Sequence, residues 1–447
     1  MNNHSKAADN HSTNSSTKKT VHIKIDHVTR LEGHGSILIN VEQGRVENLK
    51  LEIVEANRFF ENLVLGVPPH DVPQTVSRIC GICCVGHQLA AIKAVENALN
   101  LSISPQTRLL RVLLNESQFL QSHALHLYFL AIPDYVGVKS ILPLASSHPQ
   151  LIRKALKLKK LANDFTTVLG GRALHPMMPT LVGWRKLPDK DKLSALLERL
   201  KESVIDIEEM IDFMGKLSWP DYERQTEYVS LKHPDEYALY EGEIFSSDSG
   251  QSVPESDYRQ VTNEFTVPHS TAKWSRWNRE SYMVGALARV NNNFSQLHPQ
   301  AQAVADTLDL KVPCYNPYKN NLAQMVEIVH CTYHCIAALE QLLSADLQVE
   351  DIHYKAAEGI GASAIEVPRG ILFHEYGFDQ NGICNHADAV IPTSQNINNI
   401  ERDMNAFVPK MLPVMEQDQL AAHMEMLLRA YDPCISCSVH MLDVTFV

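Results

Sequence analysis

The sequence predicts an α+β fold that is predominantly α-helical, with a long helical core and a small N-terminal antiparallel sheet. The chain has 447 residues, enough to bury a large core. Apolar and polar residues alternate at 37–41, which is typical of a half-buried strand. At 89–99 apolar residues instead recur every three or four positions, which indicates a helix.

The predicted elements follow in chain order. Residues 1–20 are rich in Asn, Ser and Lys, so we expect a disordered tail. Within 21–55 two alternating runs flank a Gln43-Gly44 turn and form the sheet. Residues 218–270 hold short strand-like runs among Tyr, Thr, Gly and Ser, and we interpret them as an inserted lobe. Helices are predicted after Cys83 and at 105–130, 149–169, 190–217, 320–345 and 416–430.

Composition narrows the class of protein. The formal net charge of −12 argues against nucleic acid as a partner. No apolar run approaches a membrane span, and residues 1–20 lack the apolar core of a secretory signal. We therefore expect a cytoplasmic protein with no direct membrane span. Nine cysteines in a long chain without such a signal favour thiolate metal ligands over a disulfide framework.

Two CxxC pairs near opposite ends of the chain predict one metal site. Their members are Cys80, Cys83, Cys434 and Cys437. Four thiolates favour zinc, nickel, copper(I) or iron, and a CxxC turn lets two sulfurs bind one ion without strain. A structural zinc knuckle and an iron–sulfur cluster both remain open, although a zinc knuckle usually staples a short local segment. For any one cysteine, the alternative is a buried apolar thiol.

Five short motifs are spread along the chain. Two contain the cysteine pairs, RICGICCVGH at 78–87 and DPCISCSVH at 432–440. The others are RLEGH at 30–34, EVPRG at 366–370 and IPT at 391–393. In sequence and order they resemble the large, catalytic subunit of nickel–iron hydrogenases. The resemblance implies the hydrogenase large-subunit fold over residues 21–440. One component of respiratory complex I shares that fold but has lost the metal cysteines, which are present here.

The resemblance implies a nickel–iron centre. The four cysteines would hold nickel as thiolates, with Cys83 and Cys437 also bridging to iron. Iron in this family carries carbon monoxide and cyanide, and Arg369 and Thr393 suit the cyanide nitrogens.

Further residues would shape the surroundings of this centre. By the same resemblance, Pro368 and Pro392 form part of an apolar wall, and His87 hydrogen-bonds a bridging sulfur. An arginine is usually solvated or paired at the surface, so the role of Arg369 rests on its motif. We expect Asp134, after Ile132-Pro133, to be its partner.

Heterolytic cleavage of hydrogen yields a hydride and a proton, so a base must lie near the metals. Cys434 is the candidate base and Arg369 the competing one. By family analogy Glu32 lies beside Cys434 and is the first proton relay, because a carboxyl group can accept and release a proton with little rearrangement.

The resemblance also implies a second cation and a processed C-terminus. Glu61 and His440 correspond to residues that help bind magnesium, or sometimes iron. Residues 441–447 resemble a peptide that a maturation protease removes after nickel insertion.

Electrons must leave this centre, and the remaining cysteines do not form an iron–sulfur chain. We therefore expect flavin-containing diaphorase partners that pass electrons to NAD(P), or to the deazaflavin F420, together with an iron–sulfur small subunit. The predicted function is reversible hydrogen oxidation, and a hydrogen-sensing regulatory role is the alternative. Cys331 and Cys335 are interpreted as buried packing, and Gly359-Ile360-Gly361 as weak evidence for a nucleotide site.

Overall fold

The structure, a computed structural model, describes residues 21–42 and 45–439. Four features predicted from the sequence lie outside the described residues and stay predictions. They are the disordered tail at 1–20, the Gln43-Gly44 turn, the cation ligand His440 and the cleaved peptide at 441–447.

Helices contribute far more residues than strands to the described chain. They are α1 Phe60–Leu63, α2 Val72–Val76, α3 Cys84–Ala98, α4 Pro105–Leu125, α5 Ile132–Tyr135, α6 Ile141–Ser147, α7 Pro149–Gly170, α8 Lys190–Met214, α9 Tyr258–Thr262, α10 Ala286–Asn293, α11 Pro299–Thr307, α12 Asn320–Ser344, α13 Pro392–Met411, α14 Gln417–Ala430 and α15 Ile435–Ser438. The predicted helices correspond to α3, α4, α7, α8, α12 and α14, with ends within a few residues. The predominantly helical fold class is confirmed.

The strands form several small sheets. They are β1 Val21–Ile25, β2 Ser36–Glu42, β3 Arg45–Glu52, β4 Pro179–Thr180, β5 Gly183–Trp184, β6 Glu227–Lys232, β7 Glu243–Ser246, β8 Ser252–Val253, β9 Phe265–Val267, β10 Ser270–Trp274, β11 Tyr282–Met283, β12 Gly359–Val367, β13 Gly370–Phe378 and β14 Cys384–Val390. The orders of the larger sheets are β1-β2-β3, β11-β6-β7-β8 and β12-β13-β14.

The N-terminal sheet is antiparallel, as the alternating pattern predicts. Strand β2 pairs with both neighbours, and Ile37 lies opposite Leu51 while Ile39 lies opposite Leu49. Ile37, Ile39 and Val41 of β2 are buried, and the residues between them are half-buried. One face of this sheet therefore packs on the core.

Four long helices form the centre of the helical core. Helix α4 packs against α7 and α12, and α8 contacts both of these helices as well. Helix α4 begins at Pro105, and the Ser104 side chain caps it by accepting the amide of Thr107. The stretch 317–344, which includes α12, is long and apolar enough to cross a membrane, but 78% of its most apolar window is buried within the protein. It has the burial of a core helix.

The β12-β13-β14 sheet and helix α13 were not predicted. Every residue of β13 is buried, so the strand lacks the alternation by which half-buried strands are recognised. Strands β12 and β13 form a hairpin whose last pair is Val367 with Gly370, leaving Pro368-Arg369 as a two-residue turn. The turn lies in the protein interior.

The segment 218–270 contributes strands to the interior. Its predicted strand forms as β6, which is buried along nearly its whole length. The Leu231 amide donates a hydrogen bond to the Glu366 carboxylate at 2.8 Å, which ties β6 to the β12–β13 hairpin. That this segment is an inserted lobe stays a prediction.

The Gly359-Ile360-Gly361 segment begins β12 where that strand crosses the end of α3. A Cβ atom on either glycine would collide with the backbone of Ala98. These glycines therefore permit close packing of strand on helix, a different reason for the motif than a bound nucleotide.

Gly361→Ala should lower the free energy of unfolding by about 1–3 kcal/mol, because neither backbone can move aside cheaply. Gly35→Ala is the matched control, since the nearest atom to its added Cβ would be 3.8 Å away. Denaturant unfolding of both variants measures the difference. Equal stability of the two would contradict the close-packing explanation.

Candidate metal centre

The two CxxC pairs meet in the interior. All four cysteines are buried, and their Sγ atoms lie within 4.8 Å of one another. The Sγ atoms of Cys80 and Cys434 are 3.7 Å apart, and those of Cys83 and Cys437 are 3.8 Å apart. The chain therefore brings together cysteines that lie at opposite ends of the sequence.

Local backbone structure directs the first pair of sulfurs. Cys80 is extended, and Cys83 is the residue that precedes α3. The Cys80 sulfur accepts the backbone N–H groups of Ile82 at 3.2 Å and Cys83 at 3.1 Å. Such amide donors stabilise a thiolate, the form that binds metals.

The second pair differs from the prediction. Cys434 and Cys437 are joined as a disulfide in this structure, whereas the sequence predicts four thiolates. Reduction of this pair would give the predicted donor set, since all four sulfurs already converge. Cys80 and Cys83 are free thiols.

The two free thiols of the site differ in acidity. The hydrogen bond between Cys80 and Cys83 lowers the pKa of Cys80. The same pairing, together with burial, raises the pKa of Cys83 well above its ordinary value. Cys80 is therefore the readier thiolate before a metal binds.

Glu32 lies beside Cys434. One carboxylate oxygen is 3.1 Å from the Cys434 sulfur and accepts the Ser436 amide at 3.1 Å, and the Ser436 hydroxyl donates to the other oxygen. The backbones of Glu32 and Cys434 form a parallel bridge, in which the Ile435 amide donates to the Glu32 carbonyl at 2.8 Å. Glu32 is half-buried, whereas the four cysteines are buried.

Arg369 stands at the tip of the β12–β13 hairpin and is 5% exposed. Its Nε donates to the Asp432 carbonyl at 2.6 Å, and its Nη2 to the Asp432 carboxylate at 2.7 Å. Burial opposes the charge, but Asp432 and then the site cysteines raise the pKa of Arg369 above its ordinary value. The guanidinium therefore stays a cation in this pocket.

The predicted pairing of Arg369 with Asp134 is wrong. Asp134 instead accepts hydrogen bonds from Arg429, with Nε at 2.7 Å, and from Arg30. Asp432, and not Asp134, is the carboxylate partner of Arg369. It directly precedes Pro433 in the second cysteine motif, so the motif held a signal for it.

A small cavity opens between the cysteines and the hairpin tip. Its lining comprises Cys83, His87, Val367, Arg369, Leu372, Ile391, Pro392, Thr393, Cys434 and Cys437. Apolar side chains form much of the wall, and Arg369 and Thr393 add polar groups. The Thr393 hydroxyl oxygen accepts the Cys434 amide at 2.9 Å, so its hydrogen can be donated elsewhere.

Of the two prolines predicted in this wall, Pro392 lines the cavity, and the role of Pro368 stays a prediction. Pro392 begins α13, and Val367 lines the same cavity. Pro368 sits in the hairpin turn, and its carbonyl accepts a hydrogen bond from Arg289 at 2.9 Å. Arg289 lies outside the EVPRG motif, so the motif alone did not predict this contact of Pro368.

His87 belongs to a buried chain of polar side chains. Its Nδ1 lies 3.1 Å from His374 Nε2, and His374 Nδ1 lies 2.5 Å from the Tyr376 hydroxyl. His374 and Tyr376 lie on β13, a strand that sequence reasoning missed. The bond from His87 to a bridging sulfur stays a prediction.

Glu61, on the short helix α1, is buried, and it accepts the Ala389 amide at 3.0 Å. Its predicted partner His440 lies outside the described residues, so the second cation site stays a prediction.

The donor set fits a soft, thiophilic metal ion, because four sulfurs converge in a buried site. A tetrahedral zinc site would use the same four donors, so the geometry alone does not choose the metal.

Comparison with known proteins identifies the family of the chain. The family model described as nickel-dependent hydrogenase matches residues 58–152 and 231–440, and a HoxL-like model matches residues 22–56. The chain belongs to the nickel-dependent hydrogenase family. Family membership favours nickel over a zinc knuckle or an iron–sulfur cluster at the four cysteines.

Relatives of this hydrogenase chain span almost its whole length. The alpha subunit of sulfhydrogenase 1 from Pyrococcus furiosus is 34% identical over 423 residues, covering 94% of this chain and 98% of the relative. The F420-non-reducing hydrogenase of Methanothermobacter marburgensis contains a relative that is 29% identical over 95% of each chain. The beta subunit of the NAD-reducing hydrogenase HoxS from Cupriavidus necator is 26% identical over 94% of each chain.

A solved structure agrees with these matches. The crystal structure of an NAD+-reducing [NiFe]-hydrogenase in the H2-reduced state has a TM-score of 0.84 and 26% identity, and the match covers 94% of this chain and 100% of that one. The chain is therefore the catalytic large subunit of a nickel–iron hydrogenase, and the hydrogenase large-subunit fold is confirmed.

Cys437→Ser should lower bound nickel by more than about tenfold, because it removes one of four converging sulfurs. Cys335→Ser is the matched control: this cysteine is also fully buried, but it donates to Glu116 at 3.1 Å. Elemental analysis of the matured hydrogenase complex measures nickel per large subunit. Normal nickel in Cys437→Ser would remove Cys437 from the ligand set.

Proposed function

We propose that this chain catalyses the reversible oxidation of hydrogen at a nickel–iron centre held by Cys80, Cys83, Cys434 and Cys437. One observation carries the proposal: a carboxylate oxygen of Glu32 lies 3.1 Å from the Cys434 sulfur, at the edge of a buried cluster of four sulfurs. A proton acceptor is thus joined directly to a metal ligand.

In this proposal the four cysteines hold nickel, and Cys83 and Cys437 bridge to iron. The apolar cavity beside them accommodates the carbon monoxide and cyanide ligands of iron, with Arg369 and Thr393 donating to cyanide nitrogen. Bound there, the centre supplies an electrophile that polarises hydrogen and accepts its electrons. The proposal is supported by the Thr393 hydroxyl, which accepts the Cys434 amide and keeps its hydrogen to donate.

The proton route that we propose begins at the Cys434 sulfur and continues to the Glu32 carboxylate. Arg369 is the weaker candidate base, because its guanidinium is already paired with Asp432 through two hydrogen bonds. A guanidinium gives up its proton only at very high pH, and this pairing holds the proton more tightly. Arg369 then acts as an electrostatic and hydrogen-bonding group facing the cavity.

A second cation, magnesium or iron, would be held by Glu61 together with His440. The buried carboxylate of Glu61 supports this assignment, since magnesium prefers hard oxygen ligands. His87 would hydrogen-bond a bridging sulfur and be oriented from behind by His374. Maturation would include removal of residues 441–447 by a protease.

Electrons would leave through an iron–sulfur small subunit. Several large apolar side chains are exposed in one short segment: Val54, Phe59, Leu63 and Leu65. Within that segment Arg58 donates to the Ile79 and Ser436 carbonyls, at 2.8 and 2.6 Å, so the exposed surface adjoins both cysteine loops. A partner docked there would lie next to the metal centre, as rapid electron transfer requires.

We propose NAD(P) as the final acceptor, reached through flavin-containing diaphorase subunits in the cytoplasm. The support is an NAD-reducing relative of similar length and an NAD+-reducing solved structure. The alternative acceptor F420 has less support, because the Methanothermobacter relative is named F420-non-reducing.

The experiment that tests the proposed centre is an infrared spectrum of the anaerobically purified native complex. Metal-bound carbon monoxide and cyanide should give stretching bands in a spectral region that is otherwise empty of protein absorption. Fully matured, nickel-replete protein without such bands would refute the nickel–iron–carbonyl centre.

Glu32→Gln should abolish proton release while leaving the metal centre intact, because an amide keeps the shape of the carboxylate but does not shuttle protons. Formation of HD from D2 in ordinary water should fall by roughly 10²–10⁴-fold. Nickel content should stay normal.

Glu401→Gln is the control for this variant. Glu401 is also a partly buried carboxylate, and it accepts the Leu51 amide at 2.9 Å without contacting a site cysteine. Normal HD formation in Glu32→Gln would exclude Glu32 from the proton route.

A further inference from the structure

The β12–β13 hairpin carries Arg369 into the interior on a two-residue turn. Beyond the pair of Val367 with Gly370, the carbonyl of Pro368 has no partner across the hairpin. A buried carbonyl group requires a hydrogen-bond donor, because an unpaired one costs about as much free energy as a lost hydrogen bond. The donor at this turn comes from α10, a helix that contains none of the five sequence motifs.

That donor is Arg289 on α10, which is fully buried. It donates to the carbonyls of Val367 and Pro368, each at 2.9 Å, and to the Glu366 carboxylate at 2.8 Å. These are the three residues that directly precede Arg369. The Arg289 guanidinium therefore holds, from one side, the three residues of the chain that lead into Arg369.

The other side of Arg289 is anchored to Glu327 on α12. Its Nε and Nη2 bind the two Glu327 oxygens at 2.6 and 2.8 Å, so all five N–H donors of the guanidinium are used. Glu327 is itself fixed by the Tyr237 hydroxyl at 2.7 Å and by His123 Nε2 at 2.8 Å. Although burial opposes ionisation, Arg289 lowers the pKa of Glu327 to about 2, so the anchor is charged.

We propose that Arg289 is a positioning residue, which fixes the hairpin turn so that Arg369 and Val367 face the metal cavity. The inference rests on the proposed function, because the proposed function assigns this cavity to the carbon monoxide and cyanide ligands of iron. Arg289 does not line the cavity and acts only through the turn. A planar fork is required here because a lysine, with its single ammonium group, cannot reach Glu327, Glu366 and two carbonyls together.

The chain offers a matched control in Arg111 on α4. Arg111 is also fully buried and also binds a glutamate through two nitrogens, with both distances to Glu96 at 2.6 Å. Its remaining bonds go to Tyr240 and to the Thr180 carbonyl, both at 3.1 Å. Glu96 lies near the end of α3, about 18 Å along that helix from its first residue, which adjoins Cys83.

The experiment compares Arg289→Lys with Arg111→Lys in the matured complex. Two readouts are taken: the infrared stretching frequencies of the carbon monoxide and cyanide ligands, and hydrogen–deuterium exchange of the peptide 366–371. In Arg289→Lys the frequencies should shift, exchange of the peptide should accelerate and kcat should fall roughly tenfold to a hundredfold, with nickel content unchanged. Arg111→Lys should lower the melting temperature and leave the frequencies and the peptide exchange as in the wild type.

Unchanged frequencies and unchanged exchange in Arg289→Lys would overturn the proposal, as would equal changes in both variants. Where Arg289→Lys does not yield a folded complex, Glu327→Gln with Glu96→Gln as its control gives the same comparison, because each weakens one arginine anchor. A wild-type complex without the infrared bands would refute the proposed function instead. In that case, hydrogen–deuterium exchange of the peptide 366–371 would still decide whether Arg289 holds the turn.

Discussion

The cluster of four cysteine sulfurs depends on contacts that hold the two cysteine loops together. The Glu32 carbonyl accepts the Ile435 amide at 2.8 Å, which joins the first part of the chain to the last. Arg58 adds a second tie, because one of its nitrogens donates to carbonyls of both loops, Ile79 and Ser436. Closing so long a loop costs conformational entropy, and the packed core between the ends offsets that cost. With these contacts formed, the four sulfurs converge within 4.8 Å.

Burial of charge is the second constraint on this part of the molecule. Arg369 is matched by Asp432, and Arg289 by Glu327, through paired hydrogen bonds in each case. Unpaired, such buried charges would cost several kcal/mol each, so a variant that removes one partner leaves the other strongly destabilised. The same pairing gives these side chains defined orientations, which a cavity for small ligands requires.

Sequence reasoning succeeded where the information was local. The helical period predicted α3 and α4, and the CxxC spacing predicted which cysteines converge. It failed where position depends on distant partners. Asp134 follows an Ile-Pro turn and was the predicted partner of Arg369, yet its carboxylate is bound by Arg429 and Arg30. Arg289 lies in no motif, and its five acceptors come from segments that are separated from it by tens of residues.

The two halves of the site have separate structural origins. The ends of the chain supply the cysteines, whose convergence depends on the Glu32 and Arg58 contacts. The middle supplies the β12–β13 hairpin and the start of α13, which place Val367, Arg369 and Thr393 around the cavity. In the proposed centre, metal retention and the environment of the small ligands are therefore separable properties. A change that tilts the hairpin is therefore expected to alter how the proposed centre reacts while the four sulfurs stay in place.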